Sequence, residues 1–363
     1  MIPQELDLCV TDACNMKCRY CYAAGKNAGK KALTFGEMKK AVVIYLKRTL
    51  TDGQAVDKIS ISGGEPLTHW EEVSKFVKWL GKNLPGQIKA EIFTNGTLLC
   101  LKKAQLIVKN GLKLRLSIDG EKESHDGARI PFGGESSFDI VMKNLKSMPA
   151  PLRKELEAVP LISAENVHLA FKNMKFLLDM GFKMIRPSFV LNEVWPKTKF
   201  AVLKRELEKV SFLLRKDEKA RKRLMKISLK NLSKGLEEFA RSNEISIATD
   251  GYFYPSSLIS ASVAAMGNSF RRKYRIGSLE RGIETGKLFF LRKEAWREIK
   301  KCGADLYLGC LLCMYYSVQV AGGDLKSLLL SAEKIAEITE KACLLYTSPS
   351  PRDLSTSRMP SSA

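Results

Sequence analysis

The sequence is poor in histidine and has no long apolar run. Its three histidines, His69, His125 and His168, lie far apart and away from the cysteine clusters, which argues against a zinc site of mixed sulfur and imidazole ligands. No stretch reaches the roughly eighteen apolar residues that a bilayer span requires, and the first residues lack the features of a secretion signal. We therefore expect a cytoplasmic protein without a membrane partner.

Cysteine is abundant for a chain that lacks a secretion signal. Nine cysteines occur among the 363 residues, and several of them are clustered. In a reducing compartment such cysteines indicate metal ligands sooner than disulfides, and thiolates without histidine suit iron. The composition therefore predicts an iron site with thiolate ligands.

Acidic residues are outnumbered by basic ones. The 60 Lys and Arg residues face 39 Asp and Glu residues, which gives a formal net charge of +21. Much of the excess lies between residues 197 and 234, where aromatic residues are sparse. We therefore favour a solvated helix face over a dedicated anion groove, and we do not expect nucleic acid as a partner.

Strand-like segments alternate with amphipathic segments of helix length from residue 5 to about residue 191. The predicted strands are Leu6–Val10, Lys58–Ser62, Ile88–Thr94, Leu112–Ile118, Leu152–Leu161 and Phe182–Leu191, and the predicted helices are Phe35–Leu50, Trp70–Lys82, Lys102–Lys109, Ser137–Lys146 and Asn166–Met180. Repeated βα units form a parallel sheet. Six units predict an α/β fold, a partial (open) barrel whose ligands bind at the carboxyl ends of the strands.

Three cysteines occupy the loop after the first predicted strand. Cys14, Cys18 and Cys21 fall within eight residues, and Tyr20 precedes the last of them. Three thiolates leave one iron of a four-iron cluster open, whereas a structural zinc needs a fourth ligand nearby. Packing cysteines have no reason to keep this spacing on a loop. The loop therefore predicts a cluster with one iron free to bind a substrate.

This spacing resembles the signature of the radical S-adenosylmethionine superfamily. The resemblance implies that Cys14, Cys18 and Cys21 are catalytic and hold a [4Fe–4S] cluster whose open iron chelates S-adenosylmethionine. One electron from the cluster then yields methionine and a 5′-deoxyadenosyl radical. The resemblance also implies a reducing electron donor, such as flavodoxin or ferredoxin.

Short motifs after the second, third and fourth predicted strands extend the resemblance. Two glycines before a Glu-Pro pair make an ordinary turn in an arbitrary sequence, but at this position they resemble the superfamily's GGE motif. An arginine fork suits the cofactor carboxylate, and His125 and Asp126 are expected to orient their loop. The resemblance implies the following cofactor-binding residues: Tyr20, Gly63, Gly64, Glu65, Asn95, Ser117, Asp119 and Arg129.

The region after about residue 245 resembles a degenerate SPASM or twitch-like domain, a module that carries auxiliary iron–sulfur clusters. We expect a radical core over residues 1–240 and a smaller α+β domain over residues 245–342. Three cysteines are retained and three cysteine positions are replaced: Cys302, Cys310 and Cys313, against Ser256, Gln319 and Gly323. One auxiliary cluster on the retained cysteines and no auxiliary cluster are left open as alternatives.

The last residues differ in kind from the rest. Residues 343–363 are rich in Ser and Pro, a composition typical of a disordered tail. Cys343–Asp353 also resembles one reading frame of a DNA sequencing adapter. We therefore interpret residues 343–363 as translated adapter, do not count Cys343 as a ligand, and expect the native carboxyl terminus to be missing.

The resemblance is to the branch of the superfamily that modifies peptides and proteins. Members that mature sulfatases carry an aspartate as proton acceptor where Ser257 stands. Oxidation or cross-linking of a peptide or small protein is therefore the first hypothesis, and basic residues are expected to hold an acidic leader. The alternatives are a sulfatase-maturase-like enzyme, a small-metabolite enzyme, and a non-catalytic iron–sulfur electron carrier or binding protein.

Overall fold

The computed structural model contains an eight-stranded sheet with helices packed against it, and it describes residues 4–21, 23, 31–51, 58–84, 86, 88–224, 243–303 and 308–347. The strands are β1 (Gln4–Cys9), β2 (Lys58–Ser62), β3 (Lys89–Thr94), β4 (Lys113–Leu116), β5 (Glu157–Ala158), β6 (Leu161–Ile162), β7 (Met184–Ile185), β8 (Ser188–Phe189), β9 (Asn243–Ile247), β10 (Phe253–Tyr254), β11 (Gly277–Ser278) and β12 (Gly282–Ile283). The helices are α1 (Phe35–Thr51), α2 (Trp70–Asn83), α3 (Leu101–Lys109), α4 (Lys122–Ala128), α5 (Ser137–Lys146), α6 (Ala150–Arg153), α7 (Ala170–Asp179), α8 (Lys197–Lys216), α9 (Glu218–Arg223), α10 (Ser257–Ser262), α11 (Asn268–Tyr274), α12 (Thr285–Lys301), α13 (Leu308–Ala321) and α14 (Leu325–Thr347).

The main sheet has the strand order β10-β9-β1-β2-β3-β4-β5-β7. Neighbouring strands from β9 to β7 are parallel, and β10 is antiparallel to β9. Six of these strands, β1 to β5 and β7, belong to the six predicted βα units. The predicted partial α/β barrel is therefore confirmed.

Alternation along the strands gives the sheet two different faces. In β2, Ile59 and Ile61 are fully buried in the apolar core. Ser60 lies on the other face, where its hydroxyl donates to Glu5 Oε1 of β1 at 2.8 Å and to Glu91 Oε1 of β3 at 3.0 Å. Helices cover the apolar face, so the polar face lines the inside of the barrel.

The last two predicted strands are each divided in the structure. Leu152–Leu161 contains β5 and the first residue of β6, on either side of Pro160, and Phe182–Leu191 contains β7 and β8 on either side of Pro187. Proline has no N–H group to donate to a ladder, so each strand is interrupted there. Leu152 belongs to α6 instead of a strand.

The segment predicted to open a second domain joins the main sheet. β9 pairs in parallel with β1, so that Glu5 lies opposite Glu244 and Asp7 opposite Ser246. After residue 257 the described chain is helical apart from a 3-10 turn and the short β11–β12 pair. The C-terminal region therefore begins within the core sheet, and the division near residue 240 stays a prediction.

Helix α14 continues past the predicted start of the disordered tail. It ends at Thr347, so residues 343–347 are helical and their predicted disorder is wrong. Leu344 and Leu345 favour continuation of a helix that has already formed. Residues 348–363, and residues 225–242 of the predicted basic stretch, lie outside the described residues.

Helices α8 and α14 pack against each other. Ser211 of α8 donates from its hydroxyl to the Ala342 carbonyl of α14 at 2.8 Å. On α8 the buried apolar residues recur at helical spacing: Leu203, Leu207, Val210 and Leu214. Among the described helices, none is both long and apolar enough to span a bilayer.

Candidate active site

A cavity of about 370 Å³ lies where β1 to β4 end. The three cysteines of the loop after β1 stand half-buried at its wall: Cys14, Cys18 and Cys21. Backbone hydrogen bonds hold this loop against the segment at the end of α4, from Lys17 N to Ile130 O at 2.7 Å and from Arg19 N to Ala128 O at 2.9 Å. The structure therefore places the predicted ligands together at the carboxyl ends of the strands.

The cysteine loop suits a cluster whose ligands take up their final arrangement when iron binds. Among the described residues, no three His, Cys, Asp or Glu side chains are already arranged around a metal position. Burial raises the pKa of the Cys14 thiol to about 12, so this thiol stays protonated until iron displaces the proton. Three thiols on one loop facing a cavity match a four-iron cluster with one iron left to a small ligand.

The glycine motif after β2 fits closely against the cysteine loop. Gly64 N donates to Thr11 O at 2.7 Å, and Glu65 N donates to Ala13 O at 2.8 Å. A Cβ atom on Gly63 would lie 2.6 Å from Thr11 O, and one on Gly64 would lie 2.2 Å from Ala13 O. Glycine is therefore required here because two protein backbones meet, in addition to the cofactor contact predicted from the sequence.

Glu65 joins the ends of β2 and β3. Its fully buried carboxylate accepts hydrogen bonds from Leu67 N at 3.0 Å, Thr94 Oγ1 at 2.7 Å and Asn95 N at 2.7 Å. Burial raises the pKa of Glu65, although these three donors oppose the rise. Asn95 in turn donates from Nδ2 to Asn15 Oδ1 in the cysteine loop at 2.9 Å. Glu65 and Asn95, which the sequence predicts to bind the cofactor, thus also help to fix the cysteine loop.

The Asp119 carboxylate accepts hydrogen bonds from three groups that lie in different parts of the chain. It accepts from Arg129 Nη2 at 3.1 Å, from Leu161 N at 3.0 Å and from the Tyr20 hydroxyl. Arg129 also lies over the Tyr20 ring, 5.3 Å from its centroid. Burial disfavours the Arg129 charge, but attraction to Asp119 outweighs it, so the pKa of the guanidinium is raised.

One hydrogen-bond donor of Arg129 has no acceptor among the described protein groups. Its side chain is buried and lines the cavity, yet Nε has no hydrogen-bond partner among the described residues. A buried charged donor of this kind is costly unless a ligand satisfies it. Ser117, which follows β4, lines the same cavity. The pair fits the carboxylate and the hydroxyl groups of a nucleoside-linked amino acid such as S-adenosylmethionine.

His125 and Asp126 hold the segment that carries Arg129. Asp126 accepts from the hydroxyls of Ser136 and Ser137 at 2.6 and 3.1 Å, and from Phe138 N at 2.9 Å. His125 is fully buried, and burial lowers its pKa to about 4. It is therefore neutral near pH 7 and serves the packing of this segment.

The cavity wall also carries carboxylates that the sequence reasoning did not single out. Glu5 and Asp7 of β1, Glu244 of β9 and Ser257 of α10 line it. Burial is the largest cause that raises the pKa of Asp7 to about 7. The available signal was the alternation of Glu5 and Asp7 with Leu6 and Leu8, which gives a strand one acidic face. Glu244 had no such signal, because its position depends on the pairing of β9 with β1.

The predicted auxiliary cluster site is only partly described. Cys302 Sγ donates to Glu298 O at 3.5 Å, and burial raises the pKa of its thiol. Cys310 and Cys313 belong to α13, but their side chains lie outside the described residues. The Gln319 side chain accepts from the Tyr274 hydroxyl at 3.0 Å. A metal role for the three C-terminal cysteines therefore stays a prediction.

Comparison with known families agrees with this geometry. The model of the radical SAM superfamily matches residues 8–149, a range that includes the cysteine loop, the glycine motif and the Asp119 cluster. The chain carries a radical SAM domain. The predicted superfamily is confirmed for this range, and the superfamily uses a [4Fe–4S] cluster and S-adenosylmethionine, as predicted.

Curated relatives match about half of the chain. An uncharacterized protein of Methanocaldococcus jannaschii is 33% identical over 186 residues, which cover 50% of this chain and 61% of that protein. A cysteine-type anaerobic sulfatase-maturating enzyme of Clostridium novyi is 25% identical over 179 residues, which cover 48% of this chain and 47% of the enzyme. The chain thus spans about half of the enzyme's length.

Solved structures share the fold over most of the chain. Native anSMEcpe with bound AdoMet aligns with a TM-score of 0.65 at 19% identity, covering 96% of this chain and all of that one (100%). Streptococcus suis SuiB bound to precursor peptide SuiA aligns with a TM-score of 0.59 at 16% identity, covering 85% of this chain and 71% of SuiB. At these identities the likeness establishes the fold.

Proposed function

We propose that this chain is a radical SAM enzyme that modifies a peptide or small-protein substrate. The observation that carries the proposal is one cavity lined by three loop cysteines and by Arg129, which Asp119 holds with one donor unsatisfied. When bound, the cluster and S-adenosylmethionine supply a 5′-deoxyadenosyl radical that abstracts hydrogen from a substrate. The protein contributes binding, orientation and exclusion of water.

The residues have separate tasks in this proposal. Cys14, Cys18 and Cys21 hold the cluster, and Gly63 and Gly64 keep their loop against β2. Arg129 neutralises the cofactor carboxylate, because its planar fork and raised pKa keep a charged donor at the wall. Tyr20 and Asp119 orient Arg129 and act through it. Ser117 donates to or accepts from the ribose.

Two comparisons support a peptide substrate. SuiB, which shares the fold, was solved with a precursor peptide, and native anSMEcpe was solved with bound AdoMet and the Cp18Cys peptide, with a TM-score of 0.61 to this chain. Sulfatase maturation is the second candidate because of the Clostridium relative. Ser257 speaks against it, since it lines the cavity where the maturases have a proton-accepting aspartate.

The basic stretch gives little support to a dedicated leader groove. On α8 the exposed Lys204 pairs with Glu208, and on α9 the exposed Lys222 pairs with Glu218, each four residues along the helix. Such pairs are typical of a solvated helix face. An acidic leader and a flavodoxin or ferredoxin donor remain part of the hypothesis.

A turnover experiment tests the proposed function. After anaerobic reconstitution with iron and sulfide, wild-type protein with a reductant and S-adenosylmethionine is expected to form 5′-deoxyadenosine, whereas Cys18→Ala is expected to stay at background. Cys100→Ala removes an exposed cysteine that is not at the cavity wall, and it should match wild type. Wild-type protein with a verified cluster that forms no more product than Cys18→Ala would refute the enzyme hypothesis.

A further inference from the structure

Asp7 is a buried carboxylate that faces the cavity without a cationic partner. It is 5% exposed, and its Oδ2 accepts from the hydroxyls of Ser62 at 2.9 Å and Ser246 at 3.0 Å. Among the described residues, Oδ1 accepts no hydrogen bond and the side chain makes no ion pair. Both serines lie on neighbouring strands and hold the carboxylate in place, so Oδ1 is left for a group inside the cavity.

Glu244 adds a second carboxylate beside Asp7. It stands on β9 opposite Glu5 in the strand register, and its Oε1 accepts only a backbone hydrogen bond from Ser257 N at 2.7 Å. No side chain of the described residues pairs with it as a cation. Its negative charge and that of Glu5 both raise the pKa of Asp7, after burial.

The other carboxylates of the barrel interior are balanced. Glu5 pairs with Lys58 at 2.7 Å, and Lys58 also reaches Glu91 at 3.3 Å. Glu91 also pairs with Arg115. At the cavity wall, Glu65 has three hydrogen-bond donors. Among the described carboxylates at the wall, Asp7 and Glu244 therefore have neither a salt bridge like that of Glu5 nor the three donors of Glu65.

Unbalanced buried negative charge is unfavourable unless a ligand supplies the opposite charge. We propose that Asp7 and Glu244 determine substrate specificity by binding a cationic nitrogen group, the ammonium or guanidinium of a basic side chain on the substrate. This inference deepens the proposed function and rests on it for the reaction. In this proposal Arg129 offers positive charge to the cofactor carboxylate, and Asp7 and Glu244 offer negative charge to the substrate.

The pH dependence follows from Asp7 and its charged neighbours. Glu5, which pairs with Lys58, stands beside Asp7 on β1, and Glu244 faces it from β9. Arg292 of α12 donates to the Glu244 carbonyl at 2.8 Å. Because the pKa of Asp7 is about 7, its carboxylate becomes charged as pH rises through 7. Affinity for a cation should therefore increase over that interval.

Binding without turnover tests this inference. Wild-type protein with its cluster and S-adenosylmethionine, but without reductant, is titrated calorimetrically with acetyl-Gly-Ala-X-Ala-Gly-amide, in which X is lysine, norleucine or glutamate. The lysine peptide is expected to bind about tenfold tighter than the norleucine peptide near pH 8. The preference should shrink near pH 6, and the glutamate peptide should bind most weakly. n-Butylamine, the small-molecule source of the same cation, should compete with the lysine peptide.

Two variants and a matched control test whether Asp7 and Glu244 cause the preference for the lysine peptide. Asp7→Asn and Glu244→Gln, each checked for cluster absorption, should bring the lysine and norleucine peptides to similar affinities. Asp179→Asn changes an exposed carboxylate that pairs with Lys175, and it should keep the wild-type preference. Equal affinity of wild type for lysine and norleucine peptides would overturn the inference. A lysine preference that survives in Asp7→Asn would also overturn it. So would the finding that the two variants bind all three peptides equally weakly because they no longer bind S-adenosylmethionine. This experiment measures binding and no turnover. Failure of the proposed enzyme activity would instead appear in the 5′-deoxyadenosine assay, so the two failures can be distinguished.

Discussion

Asp119→Ala is expected to destabilise the protein by about 3–5 kcal/mol, because it leaves the buried Arg129 guanidinium without its carboxylate partner. The same substitution removes the acceptor for Leu161 N and for the Tyr20 hydroxyl. Arg129 would then no longer be held at the cavity wall, so affinity for S-adenosylmethionine should also fall. Urea unfolding and equilibrium binding of S-adenosylmethionine measure the two effects.

A double variant separates stability from binding. Asp119→Leu combined with Arg129→Met replaces the buried pair by apolar groups of similar size, which is often neutral for stability. We expect it to recover a large part of the lost stability and none of the lost affinity. If the double variant bound S-adenosylmethionine like wild type, Arg129 would not be the partner of the cofactor carboxylate.

Gly64→Ala is expected to prevent the cysteine loop from seating. The new Cβ would lie 2.2 Å from Ala13 O, and a backbone atom cannot move aside as the end of a flexible side chain can. Overpacking of this kind typically costs about 1–3 kcal/mol, and here the displaced segment carries the cluster ligands. Iron content after reconstitution should therefore fall strongly, together with the melting temperature.

Gly127→Ala is the matched control for this substitution. Gly127 lies in α4, and a Cβ added there meets no atom within 4 Å. Alanine is favoured over glycine within a helix by about 0.5–1 kcal/mol, so this variant should keep its iron and be slightly more stable. Equal iron content in Gly64→Ala and Gly127→Ala would contradict the assigned role of Gly64.

Local patterns were sufficient to predict the first four strands and their helices. β2 and α5 have the predicted bounds because the alternation of Ile59 and Ile61 and the capping residue Ser136 are local signals. Pro160 and Pro187 carry the signal that divides the later strands, and the predicted strands run through both prolines. The parallel pairing of β9 with β1 could not be predicted from sequence spacing, because it joins segments more than 200 residues apart.

The residues of the site likewise fall into those that a local motif reveals and those that only the folded structure reveals. Cys14, Cys18 and Cys21 form a local motif with a chemical meaning, so sequence reasoning identified them. The use of Asp119 as a common acceptor for Tyr20, Arg129 and Leu161 depends on three segments meeting in space. Glu244 carries no local signal. Buried charge without a partner becomes visible only when the neighbours of each carboxylate are known.

Electron paramagnetic resonance of the reduced, reconstituted protein tests the central claim most directly. Three cysteine ligands predict a cluster of about four irons per chain with one iron open to a small ligand. The spectrum of the reduced cluster should therefore change when S-adenosylmethionine is added, and Arg129→Met should weaken that change. A fully assembled cluster whose spectrum is the same with and without S-adenosylmethionine would contradict the account.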